Sequence, residues 1–151
     1  MPQQFTSIVV GTDGSETAST AVRCAIDLAR DFGARLHIVS AYEPVSQQRL
    51  RNERVEVPKD LQWMINPRED VLAVLEQALQ DARTAGVDPV ETFARLGDAA
   101  DAILDVAEEQ RADLIVVGNR GMTGAKRFLL GSVPNKISHH APCSVLIVRT
   151  T

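Results

Sequence analysis

Short apolar runs alternate with amphipathic stretches from one end of the chain to the other. Thr6 to Val10 is an apolar run of strand length. From Ser15 to Phe32 the apolar residues Ala18, Ala21, Val22, Ala25, Ile26 and Ala29 recur at helical spacing, and Gly33 follows as a C-terminal stop. Arg35 to Ala41 reads as a second strand. A second helix spans about Arg68 to Ala85, with Val71, Leu72, Leu75, Ala78, Leu79 and Ala82 on one face and Gly86 after it. Val90 to Leu96 alternates as a third strand. Gly97 and Asp98 then supply a turn and an N-cap for a helix through about Gln110, with Ile103, Leu104 and Ala107 inward. The fourth strand is Asp113 to Val117. A glycine-rich loop and a short helix follow, stopped at Ala141-Pro142, and Ser144 to Val148 is the fifth strand.

Strand-helix alternation of this kind implies βαβ crossovers and a parallel sheet with helices on both faces. Ligands of such sheets sit beyond the carboxyl ends of the strands, where the strand order reverses. The ends of strands one and four, Gly11-Thr12-Asp13 and Gly118, are then the natural crevice. The segment from Glu43 to Pro67 breaks the rhythm: it is polar, carries Arg49, Arg51, Arg54 and Lys59, and is bounded by prolines. It reads as a solvated loop with a short helix, a lid over the crevice or a partner contact.

Composition narrows the class. A chain of 151 residues fits one domain, 1–151, and 44% apolar with 4% aromatic residues suits a core of Val, Ile, Leu and Ala. A formal net charge of −4 argues against nucleic acid or an anionic membrane as the main partner. No apolar run approaches membrane-spanning length, the N-terminus lacks a signal peptide's regions, and Cys24 and Cys143 form no CxxC pair. A reduced, cytoplasmic protein is the expectation. Any anion site in so acidic a chain is built locally, from backbone and a few cations.

The stretch GNRGMTGAKRFLLGS, Gly118 to Ser132, has the makings of that site. Glycines let backbone N–H groups approach a bulky ligand, and the helix that starts near Ser132 offers unpaired donors at a positive dipole end. Other signatures fail letter by letter. Lys126 follows Ala125 and no hydroxyl comes next, so this is no P-loop, and Gly11-Thr-Asp-Gly14 lacks the GxGxxG spacing. There is no GxSxG elbow. His139, His140 and Cys143 invite a metal reading, but adjacent histidines diverge on a helix and no acidic partner completes a set. His37, mid-strand, reads as a packed core histidine.

Gly118, two residues, Gly121, nine residues, then Gly131-Ser132, together with Val-Gly-Thr-Asp-Gly-Ser at positions 10–15, resembles the universal stress protein family in its ATP-binding branch. The resemblance runs from about Thr6 to Arg149, the variable region being 43–67. It implies a doubly wound five-stranded parallel sheet of order 3-2-1-4-5, like that of the adenine nucleotide α-hydrolases, with the nucleotide at the strand 1/4 switch point. It also assigns roles. Asp13 matches the residue that holds the ribose, which a carboxylate does by accepting from both hydroxyls; the alternative is that Asp13 only organises the turn before Ser15. Ala41 matches the position whose backbone reads the adenine edge, and Thr12 lines the same pocket. Val117, Gly118 and Gly121 match the ribose-phosphate wall, and Gly131, Ser132 and Val133 the phosphate cradle. Ser132 is equally suited to a plain N-cap. Arg120, Lys126 and Arg127 sit in or beside the loop as phosphate partners or as a solvated face.

The expected function is a nucleotide-dependent stress or regulatory protein that binds ATP, with Mg²⁺ as an accompanying ion. No residue looks placed as a general base, so a dedicated ATPase is not expected, while slow hydrolysis stays open because family members vary. Three alternatives stand beside it: a module for AMP or cyclic AMP; an adenylylating enzyme of the related group, for which no acidic Mg²⁺ cluster is found; and an interaction protein with a vestigial site, against which the intact glycines argue. The last strand, Val145, Leu146, Ile147 and Val148, is apolar throughout yet falls at a sheet edge in the implied order. Such an edge invites pairing, and the resemblance points the same way, to a homodimer through this strand.

Overall fold

The computed structural model describes residues 4–42, 68–119 and 132–150. In chain order the elements are β1 (Ser7–Gly11), α1 (Glu16–Phe32), β2 (Arg35–Tyr42), α2 (Arg68–Thr84), β3 (Val90–Leu96), α3 (Ala99–Glu109), β4 (Leu114–Gly118), α4 (Ser132–His140) and β5 (Ser144–Val148). The five strands form one parallel sheet in the order β3-β2-β1-β4-β5. The chain winds outward from β1 to β3, then returns to the other side of β1. Because βα crossovers keep one hand, that reversal sends the later helices to the opposite face.

Buried residues of the strands therefore alternate between two cores. Ile8, Val10, Leu36, Ile38, Leu114 and Val116 pack beneath α1 and α2, around Ala25, Ile26, Val71 and Leu75. Val9, Val39, Ile115 and Val117 pack against α3 and α4, around Ile103, Val106 and Ile137. Burial on both faces is why β1 and β4 read as unbroken apolar runs. Local chemistry sets the helix ends. The Ser15 hydroxyl accepts from the Ala18 N–H and caps α1, and Gly33 closes it at φ 67°, with its N–H on the carbonyls of Ala29 and Arg30. Asp98 caps α3 by accepting from the Asp101 N–H at 3.0 Å.

The predicted elements are all present, with ends within one or two residues of the expected ones. One inward assignment is corrected. Leu72 is exposed, while Val71, Leu75, Ala78 and Ala82 carry the buried face of α2. Those four positions follow an i, i+4, i+7, i+11 stripe, and Leu72 lies to one side of it. His37 is buried as expected, its ring 5.9 Å from that of Phe93.

Candidate functional site

At the carboxyl ends of β1, β2 and β4 the sheet opens into a cavity of about 90 Å³. The β1 side begins at Gly11, where any Cβ would overlap the Ile103 side chain of α3. Glycine here lets the helix close down on the strand end. The Thr12 N–H then donates to the Val39 carbonyl at 2.9 Å, the last rung between β1 and β2. Beyond it the chain turns sharply into α1. The Gly14 N–H donates to Thr12 Oγ1 at 3.1 Å, and Asp13 Oδ1 accepts from the Ser15 N–H at 3.0 Å and the Ser15 hydroxyl at 2.6 Å. The Ser15 oxygen in turn accepts from Ala18 N–H at 3.1 Å. Aspartate and serine form such local turns readily. Asp13 thus does organise the turn, through Oδ1, and its residue also lines the cavity.

The β2 side presents backbone. Along a strand, N–H and C=O groups of alternate residues point to alternate neighbours. Val39 directs its carbonyl to β1, whereas the Tyr42 carbonyl accepts from Gly97 N–H at 2.9 Å, on the β3 side. Ala41 lies two residues beyond Val39 and so points both its N–H and its C=O toward β1's side, past the end of the β1–β2 ladder, which stops at Gly11↔Val39. Ala41 lines the cavity.

The remaining walls come from Val117 and Gly118 of β4, Ala99 and Ile103 of α3, and Val133 and Pro134 of α4. Asn119 ties the end of β4 to β5: its N–H donates to the Val148 carbonyl at 2.9 Å, and its Oδ1 accepts from the N–H and hydroxyl of Thr150. Lys136 ties α4 to the start of α3, with Nζ 2.7 Å from Asp101 Oδ1 and 3.4 Å from Asp98 Oδ2. The Asp101 hydrogen bond raises the pKa of its ammonium. Thr12 and Ser40 are the polar uncharged residues of a mostly apolar lining, and among the described lining residues Asp13 is the ionisable one.

Thr12, Asp13, Ala41, Val117, Gly118 and Val133 are thus brought to one cavity. Ser132 is the first residue of α4, exposed and next to the lining residue Val133. Arg120, Gly121 and Gly131, with Lys126 and Arg127, lie outside the described residues, as does the 43–67 connection. Val39, Ala99, Ile103 and Pro134 line the cavity without having been singled out for it. Helical spacing marks Ile103 as inward but cannot tell a core contact from a cavity wall. Among the described residues no three His, Cys, Asp or Glu side chains assemble as a metal site, and no helix is long and apolar enough to cross a membrane. Burial pushes the thiols of Cys24 and Cys143 up, and both are free.

Comparison with known proteins gives a consistent relationship. Residues 4–149 match the model of the universal stress protein family. Universal stress protein Rv1636 of Mycobacterium tuberculosis is 37% identical over 147 residues, covering 97% of this chain and 98% of its own. Universal stress protein YxiE of Bacillus subtilis is 36% identical over 148 residues, covering 96% and 99%. Among solved structures, a universal stress protein in complex with cAMP superimposes with a TM-score of 0.73 at 32% identity, over 99% of this chain and 100% of that one.

Proposed function

The chain belongs to the universal stress protein family, and from that premise we propose that it is a cytoplasmic regulatory protein that binds an adenine nucleotide at the β1/β4 switch point. The observation that carries the reading is the meeting of two residues at one cavity: Ala41, with its outward N–H and C=O, and Asp13. A purine needs a flat apolar slot with a donor and an acceptor along one edge, which a bare strand end supplies. A ribose needs an acceptor for its hydroxyls, which Asp13 supplies.

ATP is the expected ligand, its phosphates lying along Gly118, Gly121 and the Gly131-Ser132-Val133 start of α4, with Arg120 as cation. These donors fit an anion by their chemistry. Asp13 is the carboxylate at the cavity, so any Mg²⁺ would be held by the phosphates' own oxygens. On this reading the chain is a binding protein whose output follows its ligand, and not a dedicated ATPase.

Cyclic AMP or AMP is the second reading, favoured by the cAMP complex of the 32% identical relative. It also suits Asp13. With Oδ1 already accepting two bonds from Ser15, a ribose diol cannot chelate evenly across both oxygens, and cyclic AMP, whose sugar has one free 2′-hydroxyl, loses less than ATP or AMP, which both keep the diol.

A homodimer through β5 completes the proposal. Of the two edge strands, β3 carries Glu91 and Arg95, charges that discourage pairing, whereas Val145 to Val148 carries none. Two β5 edges can cover each other about a two-fold axis.

The test of the ligand is direct. The small molecule released from purified protein is identified by mass spectrometry, and ATP, AMP and cyclic AMP are titrated calorimetrically into the emptied protein. Saturable binding of at least one is expected. Heats indistinguishable from dilution for all three would remove the function.

A further inference from the structure

The turn that carries Asp13 is touched from the far side of the sheet. Gly14 adopts φ 84°, the left-handed region where glycine is favoured. A Cβ built on it would lie 2.7 Å from Cγ2 of Val74, so the Val74 isopropyl group rests on the Gly14 backbone. Val74 belongs to α2, the helix that follows the variable connection. Gly14 is the residue between Asp13 and Ser15, whose hydrogen bonds set the direction of the carboxylate.

Those bonds tie Asp13 to the start of α1, but they do not fix the height of the turn above the sheet. Thr12 holds one side through its N–H on Val39. On the other side an open groove of about 560 Å³ runs between α1 and α2, lined by Gly14, Ser15, Ser19, Val74 and Ala78. Beside that groove, Val74 is the α2 side chain laid against Gly14.

We infer that Val74 is a positioning residue for Asp13: by resting on Gly14, α2 sets the β1–α1 turn and through it the carboxylate that meets the ribose. The inference rests on the proposed nucleotide reading and deepens it, because it makes ribose affinity depend on how α2 is seated. A hydrogen-bonding group displaced by a fraction of an ångström loses much of its value, which is the lever here. Val74→Ala removes both methyls from Gly14 and lets the turn relax toward the groove. Val74→Ile keeps the β-branch against Gly14.

The test compares ATP with 2′,3′-dideoxy-ATP by calorimetry. Val74→Ala is expected to weaken ATP about fivefold while leaving dideoxy-ATP within about twofold, the signature of a lost ribose contact. Val74→Ile should behave as wild type, and Val74→Ala should cost nothing further in an Asp13→Ala background. The Ser15 amide resonance of the nucleotide-free protein should also shift in Val74→Ala. Should that variant fail to fold, Val74→Leu adds one methylene, takes the β-branch away from Gly14 and should show the same ligand split. A folded variant with unchanged ATP affinity, or with equal losses for both nucleotides, overturns the role of Val74. Wild type that binds no adenine nucleotide fells the nucleotide reading instead, and equal losses of ATP and dideoxy-ATP affinity in Asp13→Ala take Asp13, and with it Val74, away from the ribose.

Discussion

The Ser7 hydroxyl lies 3.1 Å from Nε2 of His37, at the end of the sheet remote from the cavity, and this contact fixes where the imidazole proton sits. The same hydroxyl donates to the Gln110 carbonyl at 3.3 Å, so toward His37 it accepts, and Nε2 carries the hydrogen. Nδ1 is left buried without a hydrogen-bond partner among the described residues. Protonating it would place a charge in the core. Burial accordingly lowers the His37 pKa, opposed by nearby Glu91 and assisted by Arg35.

Stability should therefore fall on acidification. Below the free-histidine pKa of about 6.5 the unfolded chain takes up a proton that native His37 refuses, so unfolding becomes easier until the lowered native pKa is reached. The slope from this group cannot exceed about 1.4 kcal/mol per pH unit. His37→Gln, which can still donate to Ser7, should flatten it. Urea midpoints between pH 7.5 and 5 decide the point; an equal acid slope in both proteins would show that another group is responsible. Asp113 adds a second loss at lower pH. Although burial opposes it, hydrogen bonds from the Thr6 and Ser7 N–H groups and the Thr6 hydroxyl lower its pKa, so its contribution is present above the carboxylate range and disappears as pH falls through its native pKa.

Gly11→Ala is expected to destabilise the fold by about 1–3 kcal/mol through overpacking, because the new methyl collides with Ile103. Ile103→Val shortens the colliding arm. In the double variant part of the loss should return, a coupling readable from denaturant unfolding of the four proteins. Additive losses would mean that the strand and helix do not meet as described.

Asp13→Ala should weaken ATP and AMP by similar factors, since both keep the ribose diol. The loss should be much smaller for 2′,3′-dideoxy-ATP, which has no hydroxyls to lose. Equal losses would leave Asp13 as the organiser of the Ser15 turn alone, a role its Oδ1 bonds already give it.

Gly121→Val places a branched Cβ where the proposed phosphates approach. ATP affinity should fall at least tenfold, or about 1.4 kcal/mol, with the circular dichroism spectrum unchanged. A folded variant that binds as wild type would detach the glycine spacing from nucleotide binding.

Leu146→Lys probes the β5 edge. Leu146 is the exposed large apolar residue of that strand, while Val145 and Ile147 pack toward the α3–α4 core. A lysine there should convert the proposed dimer to monomer or aggregate, because it buries a charge in an apolar seam. Light scattering coupled to size exclusion reads the outcome, and a monomeric wild type at micromolar concentration removes the dimer.

Most of the fold was legible because its signals are local. The alanine and valine stripe of α1, the left-handed Gly33 that ends it and the Asp98 cap of α3 act within a few residues of themselves. Leu72 escaped because a wide apolar stripe does not say which flank the sheet will cover. Ala99 and Ile103 escaped as cavity walls because the strand end they face lies far away in sequence.

From its own residues the chain determines the order of strands and helices, the glycine spacing after β4 and the aspartate after β1, since each depends on neighbours a turn or two away. The tertiary structure alone decided three further things. Ala41 turns its N–H and C=O to the crevice because the β1–β2 ladder stops at Val39. Oδ1 of Asp13 is committed to Ser15. Val74 reaches Gly14 from a helix sixty residues along the chain. These depend on register and on the packing of distant segments, where a shift of one residue exchanges the groups presented, and such distances are closed only when the sheet forms.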